Sequence, residues 1–342
     1  RQLLKDSLIH KMSKEIQTKF TKHAGVQYPI ICGAMYPCSN PELVSAASNG
    51  GGLAIMQPVS LTYAHGWELR KGIKFIKSMT EKPFGFNALI EKSNKKYIER
   101  MSNWIDIALE EGIRFFVTSL GKPDWVCDKV HSLGGVVYHD VTNRHWANKG
   151  KDSGVDGLIC VNNRAGGHLG DLTKEQMIEE LSDMDLPLIC AGGVGGEAEL
   201  NAALKLGYDG VQMGTRFIAT DECNTSDNYK KAIIEAKEED ISWTKRISGV
   251  PISVIKTENF RQENSWLVRK LLTGKFKHLA RTFINAISYW RLKSIKQSDE
   301  KNGSAKSTEL YSAGKSVGAI NDTMSATVIM RELGESIKRN ND

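Results

Sequence analysis

The stretch that decides the fold is Ala191–Thr215, AGGVGGEAELNAALKLGYDGVQMGT. The apolar run Leu186–Cys190 leads into Gly192-Gly193-Val194-Gly195-Gly196. A short helical pattern follows, with Leu200, Ala203 and Leu204 on one face and Gly207 as its stop. A second apolar run, Gly210–Met213, ends in Gly214-Thr215. Glycines at strand ends let a ligand approach the backbone, and bare N–H groups at a helix start attract anions. Two such turns after consecutive parallel strands match the phosphate site of a TIM barrel, formed after strands seven and eight. Two ordinary glycine-capped turns are the competing reading, and their occurrence in register favours the phosphate site.

Six more units of the same kind precede this stretch. Strands are predicted at Tyr28–Cys32, Leu53–Met56, Phe84–Leu89, Phe115–Ser119, Gly135–His139 and Gly157–Val161. Helical patterns at 41–49, 67–79, 95–111 and 143–151 lie between them. Eight apolar strands alternating with helices imply an α/β fold, a closed (β/α)8 TIM barrel, over an open doubly wound sheet. Residues 1–21 read as a polar helical extension packed on the outside. After Asp221 the pattern becomes helix-rich and basic, with one strand-like piece at Pro251–Lys256, a polar loop at 296–307 and a further helical pattern at 310–335. The expected division is a barrel with its extension at 1–238, a smaller, mostly helical domain at 239–321, and a C-terminal helix at 322–342 returning to the barrel wall.

With 342 residues, 40% hydrophobic and 25% charged, the chain can bury a large core and falls in the ordinary globular class. The net charge of +6 is concentrated in Arg261–Gln297, where nine Lys/Arg face a single acid, Glu263. That segment, with Trp266 and Trp290, reads as a solvated helical face or as a surface for an anionic partner. Six cysteines stand without metal spacing, several in apolar runs, which predicts buried free thiols in a reducing compartment. No apolar run approaches transmembrane length and no signal peptide is evident, so a cytoplasmic protein is expected, with neither nucleic acid nor membrane as partner.

Barrel sites lie at the C-terminal ends of the strands. Here those ends read Gly33-Ala34-Met35, Asn87, Ser119, His139-Asp140, Arg164–His168, Gly192-Gly193 and Gly214-Thr215. In Ala165-Gly166-Gly167-His168 the glycines admit a flat ligand, and the imidazole exchanges a proton near neutral pH. A helix-capping loop histidine is the bland alternative. Among the other histidines only His139 stands at a strand end, where packing is its expected role. Thr118 and Ser119 have no triad-like partners, no His/Cys/acid cluster suggests a metal, and no dinucleotide fingerprint is present. A phosphate site and a mouth histidine without nucleophile or metal call for chemistry supplied by a cofactor.

The stretches TKFTKHAGVQYPIICGAM, KPFGFNALI, VTSLGKP, RAGGHLGDLT, LICAGGVGG, GVQMGTRFIAT, GVPISVIKT and SAGKSVGAINDTMSA carry a resemblance that covers nearly the whole chain. It is to the nitronate monooxygenase (2-nitropropane dioxygenase) family, which is related to FMN-dependent enoyl-acyl-carrier-protein reductases. The resemblance implies an FMN-binding barrel covered by a second domain. Gly192, Gly193, Val194, Gly214 and Thr215 would hold the FMN phosphate through backbone N–H groups. Gly33, Ala34 and Met35 would line the isoalloxazine, Asn87 would hydrogen-bond to it, and Gly166 and Gly167 would let it sit close. His168 would be the catalytic histidine, toward a nitronate in one branch or an enoyl thioester in the other. An acidic carrier protein would dock on the basic segment in the second case, and a homodimer is compatible with either. A flavin-binding module without catalysis is the reading from another class. Two departures stand out. Val161-Asn162-Asn163-Arg164 replaces a polar residue, a glycine and an acid before AGGH, which implies a lost side-chain contact to the flavin. Asp140 stands where one branch has lysine, and an anion there would repel a negative group.

Overall fold

The computed structural model describes residues 16–90, 95–244, 251–256 and 311–339. Eight parallel strands close into a barrel: β1 (Ile30–Cys32), β2 (Leu53–Met56), β3 (Phe84–Leu89), β4 (Phe115–Ser119), β5 (Val136–Val141), β6 (Gly157–Val161), β8 (Leu188–Ala191) and β9 (Gly210–Met213). β9 returns to pair with β1, placing Gln212 opposite Ile31. This is the TIM barrel expected from the alternating pattern. β1 and β8 begin two residues later than predicted because Pro29 and Pro187 precede them, and proline has no N–H for the ladder. β5 runs on to Val141, which carries Asp140 inside the strand.

Alternation along each strand separates two cores. Ile31, Leu53, Ile55, Phe115, Val117, Tyr138, Ile159, Ile189 and Ala191 fill the lumen. The other parity packs against the helices. The short helix α1 (Lys19–Ala24) closes the bottom, while residues 1–15 of the expected outer extension lie outside the described residues. It buries Phe20 completely, edge-on to Phe115 at 5.8 Å and to Tyr138 at 6.0 Å. The physical reason is that a parallel barrel leaves an apolar floor that a large ring covers, worth roughly 1.5–3 kcal/mol on transfer alone.

The last helix, Ala326–Arg339, packs between the helices Pro41–Asn49 and Glu197–Lys205 and completes the outer wall. Both carboxylate oxygens of Glu222 cap its start, accepting from Ser325 Oγ at 2.6 Å and from Ala326 N at 2.8 Å. Arg216, buried just after β9, clasps the approach by donating to the backbone oxygen and the carboxylate of Asp322, each at 3.0 Å.

The domain expected at 239–321 lies for its greater part outside the described residues, as do the basic segment 261–297, Trp266, Trp290 and the polar loop. Its described parts include two strands. β10 (Ile241–Thr244) pairs antiparallel with β11 (Ile252–Ile255), and β11 pairs with the two-residue β7 (Gly167–His168). This small sheet stands at the barrel mouth. All six cysteines are buried and free.

Candidate active site at the barrel mouth

The turns after β8 and β9 lie side by side, with Ala191 paired to Gln212 at their roots. Gly192 and Gly193 adopt φ of +121° and +74°, a left-handed backbone that needs glycine. A Cβ on Gly192 would stand 2.4 Å from Asn162 Oδ1 and 2.6 Å from the Ala165 nitrogen, so the β8 turn and the β6 loop are in close contact. Among the described residues no group accepts a hydrogen bond from the N–H of Gly193, Val194 or Thr215. Arg164 lies along Gly193, its guanidinium ion-paired to Glu238. Unpaired N–H groups on two adjacent turns with a guanidinium beside them suit a phosphate. The residues present therefore fit the phosphate of a flavin mononucleotide.

Asn162, passed over in the sequence as a departure from a pattern, organises this side. It is fully buried, donates to the Gly192 oxygen at 3.0 Å and accepts from the Arg164 N–H at 2.8 Å. A buried Asn directly after a strand is a local signal for such a turn. The distant segment 313–319 closes over the same loop. Gly314 donates to Thr215 Oγ1 at 3.0 Å, and Lys315 donates to the Arg164 oxygen at 3.0 Å. A Cβ on Gly166 would stand 2.9 Å from Gly314 N, so Gly166 is small because another backbone crosses it. Thr215 thus spends its hydroxyl on the protein and keeps its N–H.

From β1 come Gly33, Ala34 and Met35. The Gln212 side chain lies beside Gly33, and Met35 sulfur approaches Gly214. Asn87 is buried on β3, two residues beyond Gly85 and on its lumen side. β3 stands on the far side of the barrel from the β8–β9 turns.

His168 is held by β7 opposite Ile252, so the antiparallel sheet sets the direction of its backbone. The side chain remains exposed, while its surroundings still lower the imidazole pKa by desolvation. The lowered pKa favours the uncharged imidazole, which can accept a proton. His139 belongs elsewhere. It points out of the barrel toward the helix Arg144–Asp152, with Nδ1 2.8 Å from Thr118 Oγ1, and burial pushes its pKa down to about 4. It is a packing residue.

Asp140 occupies the lumen side of β5, two residues beyond Tyr138. Its Oδ1 is buried without a hydrogen-bond partner among the described residues. Ile159 stands opposite it on β6, Val161 lies two residues farther along, and burial pushes the carboxyl up to about 7. Burial therefore makes the anion expected from the sequence harder to form at this position.

Residues 17–336 match the family model described as nitronate monooxygenase. A (3aS,4S,5R,7aS)-5-hydroxy-7a-methyl-1-oxo-octahydro-1H-indene-4-carboxyl-CoA dehydrogenase of Rhodococcus jostii is 30% identical over 244 residues, 71% of this chain and 67% of that protein. A probable nitronate monooxygenase of Staphylococcus saprophyticus is 28% identical, covering 74% of this chain and 82% of that one. Among solved structures, FabK from Thermotoga maritima superposes with a TM-score of 0.75 at 24% identity, over 95% of this chain and 97% of that one.

Proposed function

The chain belongs to the nitronate monooxygenase family and is a flavin-dependent oxidoreductase, and on that premise we propose that it binds FMN and oxidises alkyl nitronates or nitroalkanes to a carbonyl compound and nitrite. The observation that carries this reading is the convergence of three loops: the glycine turns after β8 and β9, and the β6 loop that ends in His168. Gly193, Val194, Gly214 and Thr215 hold the phosphate through their N–H groups, with Arg164 alongside. Gly33, Ala34 and Met35 line the ring system, and Asn87 donates or accepts at its polar edge. Bound FMN supplies the electron transfer between substrate and dioxygen. His168 takes the α-proton of a nitroalkane through its unprotonated ring nitrogen, and the imidazolium so formed stays next to the nitronate. β7, anchored to β11, keeps the ring aimed while that proton is held.

A second reading is favoured by Asp140. An unpartnered carboxyl that carries a proton near pH 7 suits a neutral carbonyl acceptor better than an anionic nitronate. An acyl thioester has such a carbonyl, and the Rhodococcus relative is a dehydrogenase of a carboxyl-CoA. In this reading the protein oxidises or reduces a thioester at the carbons next to its carbonyl, with His168 again the proton-handling group. A cytoplasmic location, a carrier-protein partner and a homodimer remain compatible proposals on this branch.

Nitrite release from propyl-2-nitronate in air, measured beside crotonyl-CoA-dependent NADH oxidation, separates the two. Nitrite release that is abolished in His168→Ala while FMN stays bound is the expected result. NADH oxidation dependent on crotonyl-CoA, without nitrite release, would replace the first reading by the second. Turnover equal in wild type and His168→Ala would remove His168 from both.

A further inference from the structure

Asp140 is absorbed by neither the phosphate grip nor the histidine. It stands at a lumen position of the mouth, where substrate and ring must meet, and its Oδ1 is buried with no partner among the described residues. Buried polar atoms in native folds are hydrogen-bonded in the great majority, so an orphan at a ligand-facing position points to a ligand. The groups around it narrow the ligand's chemistry. β4 offers Val117 and Ser119, and β6 offers Ile159 and Val161, none of them charged. The titratable groups on these elements are Cys160 of β6, whose thiol burial pushes well up, and Tyr138 and His139 of its own strand. Tyr138 turns toward the floor, where its hydroxyl lies 3.1 Å from His23 Nδ1, and His139 turns outward to Thr118. His168 belongs to the loop that leaves β6. No lysine or arginine on β4 or β6 neutralises the carboxyl.

We infer that Asp140 is a neutral-acid hydrogen-bond donor for an uncharged carbonyl oxygen brought into the mouth. This rests on the flavin-oxidoreductase reading above. Two sources share the acceptor chemistry: a ring carbonyl of FMN and the carbonyl of an acyl thioester. A protonated carboxyl donates to either. A carboxylate in the same apolar walls would face the oxygen lone pairs and repel them. Occupancy of the mouth therefore weakens as pH rises through neutrality. The direction is set by burial, which favours the protonated form up to about pH 7.

The test uses the full chain. Flavin-stripped protein is titrated with FMN, and FMN-loaded protein with crotonyl-CoA in the absence of reductant, at pH 6 and 8.5, by flavin absorbance. Wild type is compared with Asp140→Asn, which keeps N–H donors at every pH and so controls for titration of the ligands' phosphates, and with Asp140→Ala. For at least one probe, wild-type affinity falls about tenfold more than that of Asp140→Asn between the two pH values, and Asp140→Ala binds about tenfold more weakly than wild type at pH 6. The probe that shows the effect identifies the source of the carbonyl. The same pH dependence in wild type and Asp140→Asn for both probes overturns the inference, as does Asp140→Ala matching wild type at pH 6. FMN bound by no variant at any pH overturns the flavin reading together with this one. FMN bound tightly, with neither probe sensitive to position 140, overturns this one alone.

Discussion

The two ends of the barrel are made from the same eight strands and solve opposite problems. At the bottom, Phe20, Phe115 and Tyr138 form an aromatic plug, and the Tyr138 hydroxyl is matched to His23. At the top, glycines replace side chains, N–H groups of Gly193, Val194 and Thr215 point to no protein acceptor among the described residues, and Asp140 keeps a buried oxygen unpaired. The bottom end is filled and satisfied, which is what stability requires. The top end withholds both packing and hydrogen bonds, which is what a binding site requires. The difference teaches that polar incompleteness, more than residue type, marks the functional end.

Four substitutions break or sharpen that contrast. The largest effect is expected at the top. His168→Ala lowers turnover by about 10²- to 10⁴-fold, the range of a lost general base, with the melting temperature little changed. Steady-state kinetics and a thermal scan of the same preparation check both halves. Phe20→Ala does the reverse. It costs about 3–5 kcal/mol of unfolding free energy in denaturant titrations and leaves FMN affinity near wild type, because the cavity opens at the floor. Equal losses in both properties would merge the two ends into one unit.

The next two predictions set neighbouring residues of β5 against each other. The folded-state pKa of Asp140 is raised from 3.8 to about 7, so its contribution to stability is full below pH 3.8 and is lost as pH rises through 7. Asp140→Asn therefore unfolds like wild type near pH 4 and is more stable at pH 8, by on the order of 2–4 kcal/mol. For His139 the folded pKa is depressed from 6.5 to about 4. Its contribution is present above pH 6.5 and is lost as pH falls toward 4. His139→Gln thus blunts acid destabilisation over that window by about 1–3 kcal/mol and changes little at pH 8. Chemical denaturation at pH 4, 6 and 8 reads both. Asp140 is a buried acid and His139 a buried base, so a common pH response for the two variants would contradict burial as the cause of both shifts.

Much of this was legible in the residues themselves. Glycines at the ends of apolar runs mark Ala191–Thr215 because a strand that must turn beside a ligand leaves few alternatives to glycine. AGGH marks His168 for the same reason. The eight strands were legible from period and spacing, with boundary errors where Pro29 and Pro187 delay the ladder and where β5 runs on to Val141. What could not be read depends on contacts between distant segments. Nothing local to Phe20 says that it enters a barrel floor formed by β4 and β5. Nothing local to Gly314 says that it crosses Gly166, 148 positions earlier in the numbering. Asp140 was read as an anion because a sequence carries charge type but not dielectric. The strand that buries it pushes the carboxyl pKa up.

The claim on which the account rests is that the incomplete turns at the top hold FMN. The direct measurement is an equilibrium titration of the purified, flavin-stripped chain with FMN, followed by absorbance, for wild type and for Gly193→Val. The account predicts one FMN per chain in wild type. It predicts a large loss of affinity in the variant, because position 193 requires a left-handed φ and its side-chain direction is already taken by Arg164. A wild-type chain that takes up no FMN, or a Gly193→Val chain that binds it as tightly, would contradict the account.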